Sequence, residues 1–514
     1  MKKLFVFMLC TMFFGAPMVK GGNRIMVIAD PHVYPLASIA QEADFDAYMA
    51  KQRKMIDLSE PLWHALMDTA LRYRPSLVLI PGDLTRDGEL AAHDTVAAAL
   101  NRLQQAGIRT LVIPGNHDMP GSTWETLYWG TYENAVKDPN SHSYAVEPLR
   151  GVTVIGIDGS NGNAGTGKLK PATLQFILAQ ADSAVAKGHT IIAMAHWQIL
   201  EHFDKQGSLE SSCRFENADA LRDSLMAHGV HLVLTGHFHV NGITTWKNEN
   251  NLNDSIVEIS TGSPITYPCP YRWLTLSDDC ADMTVSTDYI TSVDTIADLE
   301  TYSREWMREH TYNLIPVLAP RIWNKADAYK DKIVGQYGSY VKILCGFLGD
   351  LGAEIDNAMP STDSAKIDLL QRHMGSAVVD MYLFHSEANE NERPELGDSL
   401  SQAIFDGMTN MVTEVIINSE VLSCMSELLL PMVKLMAQEP IQSLVEDITC
   451  KGSGNEDRTD DLRPTFHLNA PQPFDAIQDV SEEQTTYRKC IRDGQFLILR
   501  GEQIYNASGQ RIAQ

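Results

Sequence analysis

Five short polar clusters in the first half of the chain carry residue types from which metal-ion chemistry is built. Asp30 and His32 stand two apart, and Gly82 precedes Asp83. Gly115-Asn116-His117-Asp118 forms a third cluster, His196 a fourth and Gly236-His237-Phe238-His239 a fifth. Singly, each is weak. Gly-Asp is a common turn pair, Asp-x-His after a strand is more often a turn than a ligand pair, and a lone histidine is more often a satisfied core residue. Jointly they hold nine carboxylate, amide and imidazole side chains, from which seven ligands can be drawn. Imidazole together with carboxylate suits zinc, iron or manganese, whereas calcium takes oxygens only. Seven ligands exceed what one tetrahedral ion needs and suit two ions that share a carboxylate.

The elements that must hold these clusters follow from the hydrophobic pattern. Apolar runs at 24–29, 76–80, 109–113, 190–195 and 231–235 read as buried strands, and each ends where a cluster begins. Amphipathic stretches at 58–73, 89–106, 123–136, 171–186 and 218–228 read as helices between them, with Ser59 as an N-cap and Gly107 as a terminator. The carboxyl edge of such strands is where α/β sheets bind ligands. After 235 only strands are expected, at 242–246, 255–259, 273–276 and 283–289, in addition to the adjacent pair at 143–146 and 152–157. The fold class is therefore α/β, with two sheets packed between helical layers. From 298 to about 450 the apolar spacing is helical, as at 341–348, 367–373 and 421–436, which predicts a mostly helical C-terminal domain. A polar linker at 451–461 leads to a short β tail containing one clear strand at 496–499. The tail ending Tyr505-Asn-Ala-Ser-Gly-Gln-Arg-Ile512 resembles a short C-terminal segment common in exported proteins of anaerobic bacteria, and reads equally well as a plain terminal hairpin around Arg500-Gly501.

The five clusters, intact and in order, resemble the calcineurin-like metallophosphoesterase family over roughly 23–288. Gly82-Asp83-Leu84-Thr85 followed by Gly88, and Ser260-Thr261-Gly262-Ser263 followed by Tyr267-Pro268 and Tyr271-Arg272, are similar to its cyclic-nucleotide-phosphodiesterase branch. The resemblance implies an αββα sandwich core, with Asp30, His32 and His239 on a first metal, Asn116, His196 and His237 on a second, and Asp83 bridging them. The cofactors would be two divalent or trivalent ions, manganese, zinc or iron. Such a pair generates a nucleophilic hydroxide near neutral pH and clamps both oxygens of an in-line displacement at phosphorus. His117 would face the phosphate and assist as acid or charge stabiliser, with Asp118 orienting its ring. Arg86, Trp197, His202, Tyr271 and Arg272 are candidate substrate contacts. For Arg86 a solvated loop charge is the plainer reading. The reaction expected is hydrolysis of a phosphate ester, a phosphodiester first. A phosphomonoesterase on the same site, or a metal-dependent binding module without catalysis, are the alternatives.

The 514 residues exceed what one core usually covers, so the expected division is a signal peptide at 1–22, a catalytic domain at 23–295, a helical domain at 296–450 and a linker with tail at 451–514. Lys2-Lys3, the apolar run 4–14 and Gly15-Ala16 have the layout of a secretory signal, which predicts export to the periplasm or outside the cell. No other stretch approaches eighteen uninterrupted apolar residues, so no stable membrane insertion is expected. The formal charge of −25 argues against long polyanions as partners, so a small phosphorylated substrate is expected and nucleic acid is not. The eight cysteines form no CxxC pair, which argues against a thiolate zinc site. Cys269 with Cys280 and Cys450 with Cys490 are the candidate disulfides.

Overall fold

The computed structural model describes residues 23–316 apart from 119–121, 129–131, 161–164, 204–205, 210, 249–250 and 314. It also describes helical positions 323, 331 and 334–335, residues 351–434 with breaks at 389–392, 421, 428, 432–433, and parts of 464–512. The signal-like segment 1–22, the helical stretch expected at 341–348, the linker 451–461 and Cys450 lie outside the described residues.

Two mixed sheets form the N-terminal half. The first has the order β13-β12-β11-β1-β2-β3. Its strands β1 (Arg24–Val27), β2 (Leu77–Pro81) and β3 (Arg109–Ile113) run parallel. The second has the order β4-β5-β6-β7-β8-β10-β9. It comprises β4 (Val136–Lys137), β5 (Tyr144–Leu149), β6 (Val152–Ile157), β7 (Thr190–Ala195), β8 (Leu232–Thr235), β9 (Gly242–Asn248) and β10 (Asn251–Ser260). Strands β11 (Pro270–Leu276) and β12 (Asp282–Tyr289) return antiparallel to the first sheet beside β1. Alternation along the strands explains the sandwich. Val154, Ile192, Met194, Leu232 and Leu234 pack into one cluster with Ile25, Val78 and Leu79 of the other sheet. Their neighbours Ile155, Ile157, Ile191, Ala193 and Val233 join a second cluster with the helical residues Ile177, Leu178 and Leu225. Because both faces are covered, the central strands read as unbroken apolar runs.

The helices are α1 (Leu36–Ile39), α2 (Phe45–Met49), α3 (Ser59–Tyr73), α4 (Leu90–Gln105), α5 (Ser122–Leu127), α6 (Pro171–Ala186), α7 (Gln206–Leu209) and α8 (Ala218–Ala227). Pro171 begins α6, where its missing N–H has no partner to lose. Ser59 is not an N-cap: a 3-10 turn at Ile56–Leu58 runs straight into α3. The Ser59 hydroxyl instead accepts from Tyr34 N–H at 2.9 Å and donates to Ile56 O at 2.7 Å. The helix expected over 123–136 is only the short α5, followed later by edge strand β4.

A helical region follows, with α9 (299–313), α10 (Leu351–Ala358), α11 (Asp363–Glu387) and α12 (Pro394–Asn418). Contacts group the described residues of the two sheets and of this helical region in one compact unit. Tyr267 of the sandwich shares a cluster with Met307, Val379 and Leu383 of the helices. β13 (Thr465–His467), within the stretch expected to be linker and tail, pairs with β12 and extends the first sheet. Three residues were too short a signal to read as a strand. The remaining tail, Gln472–Gln514, is a second unit: an antiparallel sheet of β14 (Tyr487–Arg492), β15 (Gln495–Arg500), β16 (Gln503–Asn506) and β17 (Arg511–Ile512). β15 and β16 form the hairpin that Arg500-Gly501 suggested. Among the described residues no helix is long and apolar enough to cross a membrane.

Cys269 and Cys280 are free buried thiols, which corrects the pairing considered for them. They flank opposite ends of β11, a seven-residue strand of about 20 Å at ~3.3 Å per residue, well beyond disulfide reach.

Ile192, fully buried on the inter-sheet face of β7, tests the sandwich. Ile192→Ala should cost about 2–5 kcal/mol by urea denaturation with an unchanged m-value. A loss under ~1 kcal/mol would mean that this face is not closely packed.

Candidate metal centre

Each of the five clusters sits directly after its strand, as the sequence indicated. Asp30 and His32 follow β1, Asp83 follows β2, Asn116 and His117 follow β3, His196 follows β7, and His237 and His239 follow β8. The centre therefore spans the carboxyl edges of both sheets. Its backbone is unusual. Among the described residues, Asp30 (φ 51°), His32 (φ 41°), Asp83 (φ 49°), His237 (φ 67°) and His239 (φ 61°) all adopt left-handed conformations. L-residues take these at a cost, and their clustering here marks a functional constraint held by surrounding structure. Two glycines make the approach possible. A Cβ on Gly82 would lie 2.5 Å from His196 Nδ1, and one on Gly115 would collide with the Asp83 carboxylate.

Two groups of ligating atoms converge. Asp30, His32, Asp83 and His239 form one, and Asp83, His196 and His237 the other, each with its atoms within 4.8 Å of one another. His32 Nε2 lies 3.1 Å from His239 Nε2 and 3.5 Å from Asp83 Oδ2. His239 Nε2 is 3.5 Å from Asp30 Oδ1. In the second group His196 Nε2 is 3.3 Å from Asp83 Oδ2, 3.0 Å from His237 Nδ1 and 3.0 Å from Asn116 Oδ1. Asp83 Oδ2 is common to both, where a bridging ligand must be.

The His196 ring donates Nδ1–H to Pro81 O at 2.9 Å, which turns its Nε2 lone pair into the centre. Burial opposes charge on His196, but the Asp83 carboxylate outweighs it and lifts the imidazole to about 9. Burial and the charge of His196 push His237 down to about 3. Burial disfavours the Asp83 anion, yet the surrounding imidazoles hold its carboxyl well below the usual range. Converging imidazole nitrogens around shared buried carboxylates form a donor set that fits two cations of the zinc, iron or manganese type.

His117 stands beside this set. Its N–H donates to Asp83 Oδ1 at 2.9 Å and its ring lies edge-on to His32 with centroids 4.8 Å apart. Its Nδ1 is 2.7 Å from Asp87 Oδ1, and its side chain remains 29% exposed, enough to meet a substrate. Asp118 does not orient this ring. It is buried and accepts from Gly115 N–H at 2.9 Å and from the Thr85 N–H and hydroxyl at 2.9 and 3.0 Å, so it ties the two ligand loops together. Asp87 takes the orienting position that Asp118 was expected to fill. Burial raises its carboxyl, but the hydrogen bond and charge of His117 bring it below its ordinary value. A carboxylate four residues after Asp83 was the available signal.

The five candidate substrate contacts are engaged elsewhere. Arg86 bonds Glu42 and Glu89, each at 2.7 Å, and stacks 3.7 Å over Tyr34. It clamps the loop that presents Asp87. Trp197 is fully buried behind the centre, with centroids 4.9 Å from His196 and 5.7 Å from His237. His202 is buried against Glu258 at 2.9 Å. Tyr271 is buried beside Trp273, and the Arg272 Nε donates to Asn241 at 3.2 Å. Residue type gave these assignments; burial takes Trp197, His202, Tyr271 and Arg272 out of reach, and Arg86 is held by its carboxylates. One cation was missed in the sequence. Lys54 is half-buried, makes no ion pair among the described residues, and has the charges of Asp83, Asp87 and Asp30 around it. Burial pulls its ammonium below the ordinary value against their attraction.

Residues 23–241 are matched by the family model described as calcineurin-like phosphoesterase. Among solved structures it is similar to a dimetal phosphatase from Danio rerio, with 16% identity and a TM-score of 0.41 over 52% of this chain and 95% of that one. It is also similar to a purple acid phosphatase from yellow lupin (Lupinus luteus) seeds, with 14% identity and a TM-score of 0.38 over 54% and 52% of the two chains. No curated protein matches the chain.

The shared carboxylate gives a direct test. Asp83→Asn should leave fewer than two ions bound by metal analysis and abolish nearly all turnover. Two ions retained with unchanged activity would refute the bridge.

Proposed function

We propose that the protein hydrolyses small phosphodiesters with two metal ions held by Asp30, His32, Asp83, Asn116, His196, His237 and His239. The observation that carries the catalytic reading is the His117–Asp87 pair: a partly exposed imidazole, 2.7 Å from a carboxylate, adjoining the ligands without belonging to them. Bound cations of this type supply Lewis acidity and a nucleophile from water near neutral pH. The chain supplies the remaining parts. His117 holds a proton on Nε2 for the departing oxygen while Asp87 fixes the ring through Nδ1. Lys54 adds positive charge for a non-bridging phosphoryl oxygen. A binding module without catalysis would have no use for a carboxylate-oriented imidazole beside the ligands.

The preference for a diester rests on the similarity of Gly82-Asp83-Leu84-Thr85, Gly88 and Ser260–Ser263 to the cyclic-nucleotide-phosphodiesterase branch. Phosphomonoester hydrolysis on the same site is the second reading. Manganese, zinc or iron are the metals the donor types favour. Export follows from the layout of residues 1–22.

Two measurements bear on this reading. Turnover of bis-p-nitrophenyl phosphate should exceed that of p-nitrophenyl phosphate in the presence of manganese, zinc or iron, and the reverse order would establish the monoesterase. His117→Ala should keep both metals and lose about 10²–10⁴ in rate, less for substrates with good leaving groups. A parallel fall in metal content would make His117 a ligand instead.

A further inference from the structure

His237 and His239 both hold left-handed backbone conformations, separated by a single residue, Phe238. A strained loop keeps such geometry only if its surroundings fix it from more than one side. From below, the Asp30 carboxylate accepts His237 N–H at 2.9 and 3.0 Å, and Phe238 N–H closes onto Gly236 O at 2.8 Å. From the other side the hold is aromatic. The Phe238 ring lies 5.8 Å from Phe203 and 5.7 Å from His385, and His385 lies 6.0 Å from Phe203, the last two edge-on. His385 belongs to α11, outside the family domain and more than a hundred residues after the last candidate ligand.

Two further contacts place the same end of α11 against loops that adjoin the centre. Tyr267 donates its hydroxyl to Glu387 at 2.7 Å, and Glu387 also pairs with Arg393. Tyr267 follows closely on Ser263, whose hydroxyl donates to Asp30 O at 2.6 Å. Tyr382 receives the Arg53 guanidinium at 5.0 Å, next to Lys54. The last turns of α11 thus touch three segments, each adjacent to a ligand or to the unpaired cation.

We infer that His385 of α11 is a positioning residue for the metal centre, fixing the His237–His239 loop through Phe238 and making the helical region part of the catalytic unit. The contact works by ring packing. An aromatic residue at 385 therefore suffices and a small one does not. His237 and His239 serve different metals, so one loosened loop weakens both sites together. The inference rests on the ligand assignment above, and a wild-type metal titration in the same series tests that assignment separately.

The experiment uses the full chain. Manganese and zinc binding are measured by calorimetry for wild type, His385→Ala, His385→Phe and, as a control in a surface ion-pair network of the same helix, Arg372→Ala. Thermal melting of the metal-free proteins checks folding. Wild type should bind two ions. His385→Ala should melt cooperatively and bind both about three- to tenfold more weakly, the effect expected for one lost aromatic pair. His385→Phe and Arg372→Ala should match wild type. Saturating metal should restore most of kcat in His385→Ala. Unchanged affinity in a folded His385→Ala would overturn the inference, as would His385→Phe behaving like the alanine variant. Absence of two-ion binding in the wild type would instead remove the ligand assignment. Should His385→Ala fail to melt cooperatively, Phe238→Leu, which keeps apolar volume and removes the ring, takes its place under the same criteria.

Discussion

The architecture turns on one buried carboxylate. Asp83 is 1% exposed and sits between two sets of imidazoles, with its Oδ1 taking the His117 N–H and its Oδ2 facing His32 and His196. An isolated ionised carboxylate at that depth is too costly to persist. Here its neighbours are converging nitrogen donors and, when loaded, cations. That need for compensation dictates much else. Gly82 and Gly115 must be glycine because His196 and Asp83 occupy the space that a Cβ would take. Asp118 must be buried, because it bonds the backbones of Thr85 and Gly115, which flank the shared carboxylate in the two loops.

A second consequence is that neither sheet alone can build the centre. Asp30, Asp83 and Asn116 come from the first sheet, and His196, His237 and His239 from the second. The close inter-sheet packing of Ile192, Met194 and Leu234 against Ile25 and Leu79 is therefore a geometric condition for metal binding as well as a source of stability. Sub-ångström registry between two sheets requires a rigid core, and buried side chains in a close-packed interior provide it.

The sequence revealed most where function is encoded locally. Each candidate cluster follows an apolar run, so strand end and cluster could be read in the same few residues, and the fold brings the clusters together at those strand ends. It revealed least where a role depends on burial or on distant packing. Trp197 and His202 adjoin a ligand in sequence, yet the chain turns them into the core, where Trp197 backs the imidazoles and His202 is bound to Glu258. Arg86 looked like a loop charge free to meet phosphate, but Tyr34 and Glu42 lie more than forty residues earlier and only the fold brings them to it. The pairing of Asp87 with His117 was missed for a different reason: Asp118 is adjacent to His117 in sequence, and adjacency was a poor guide because consecutive side chains diverge. The helical region illustrates the same limit, since no local pattern in α11 announces that its last turns rest against Phe238.

The electrostatics combine an acidic protein with a site that needs an anion. The net charge of −25 repels phosphorylated ligands at long range, but screening at physiological salt confines that field to about 8 Å. Within that distance the few groups at the site decide the field. Lys54 stands within the charges of Asp83, Asp87 and Asp30, and on the proposed reading the buried Asp30 and Asp83 are neutralised by the cations they hold. Bound cations reverse the local potential. A small substrate meets only this inner field, whereas an extended polyanion must also lie across the acidic surface around it. On the proposed reading, discrimination against long polyanions thus needs no steric gate: it follows from placing a few positive charges at the edge of two sheets in an otherwise acidic chain.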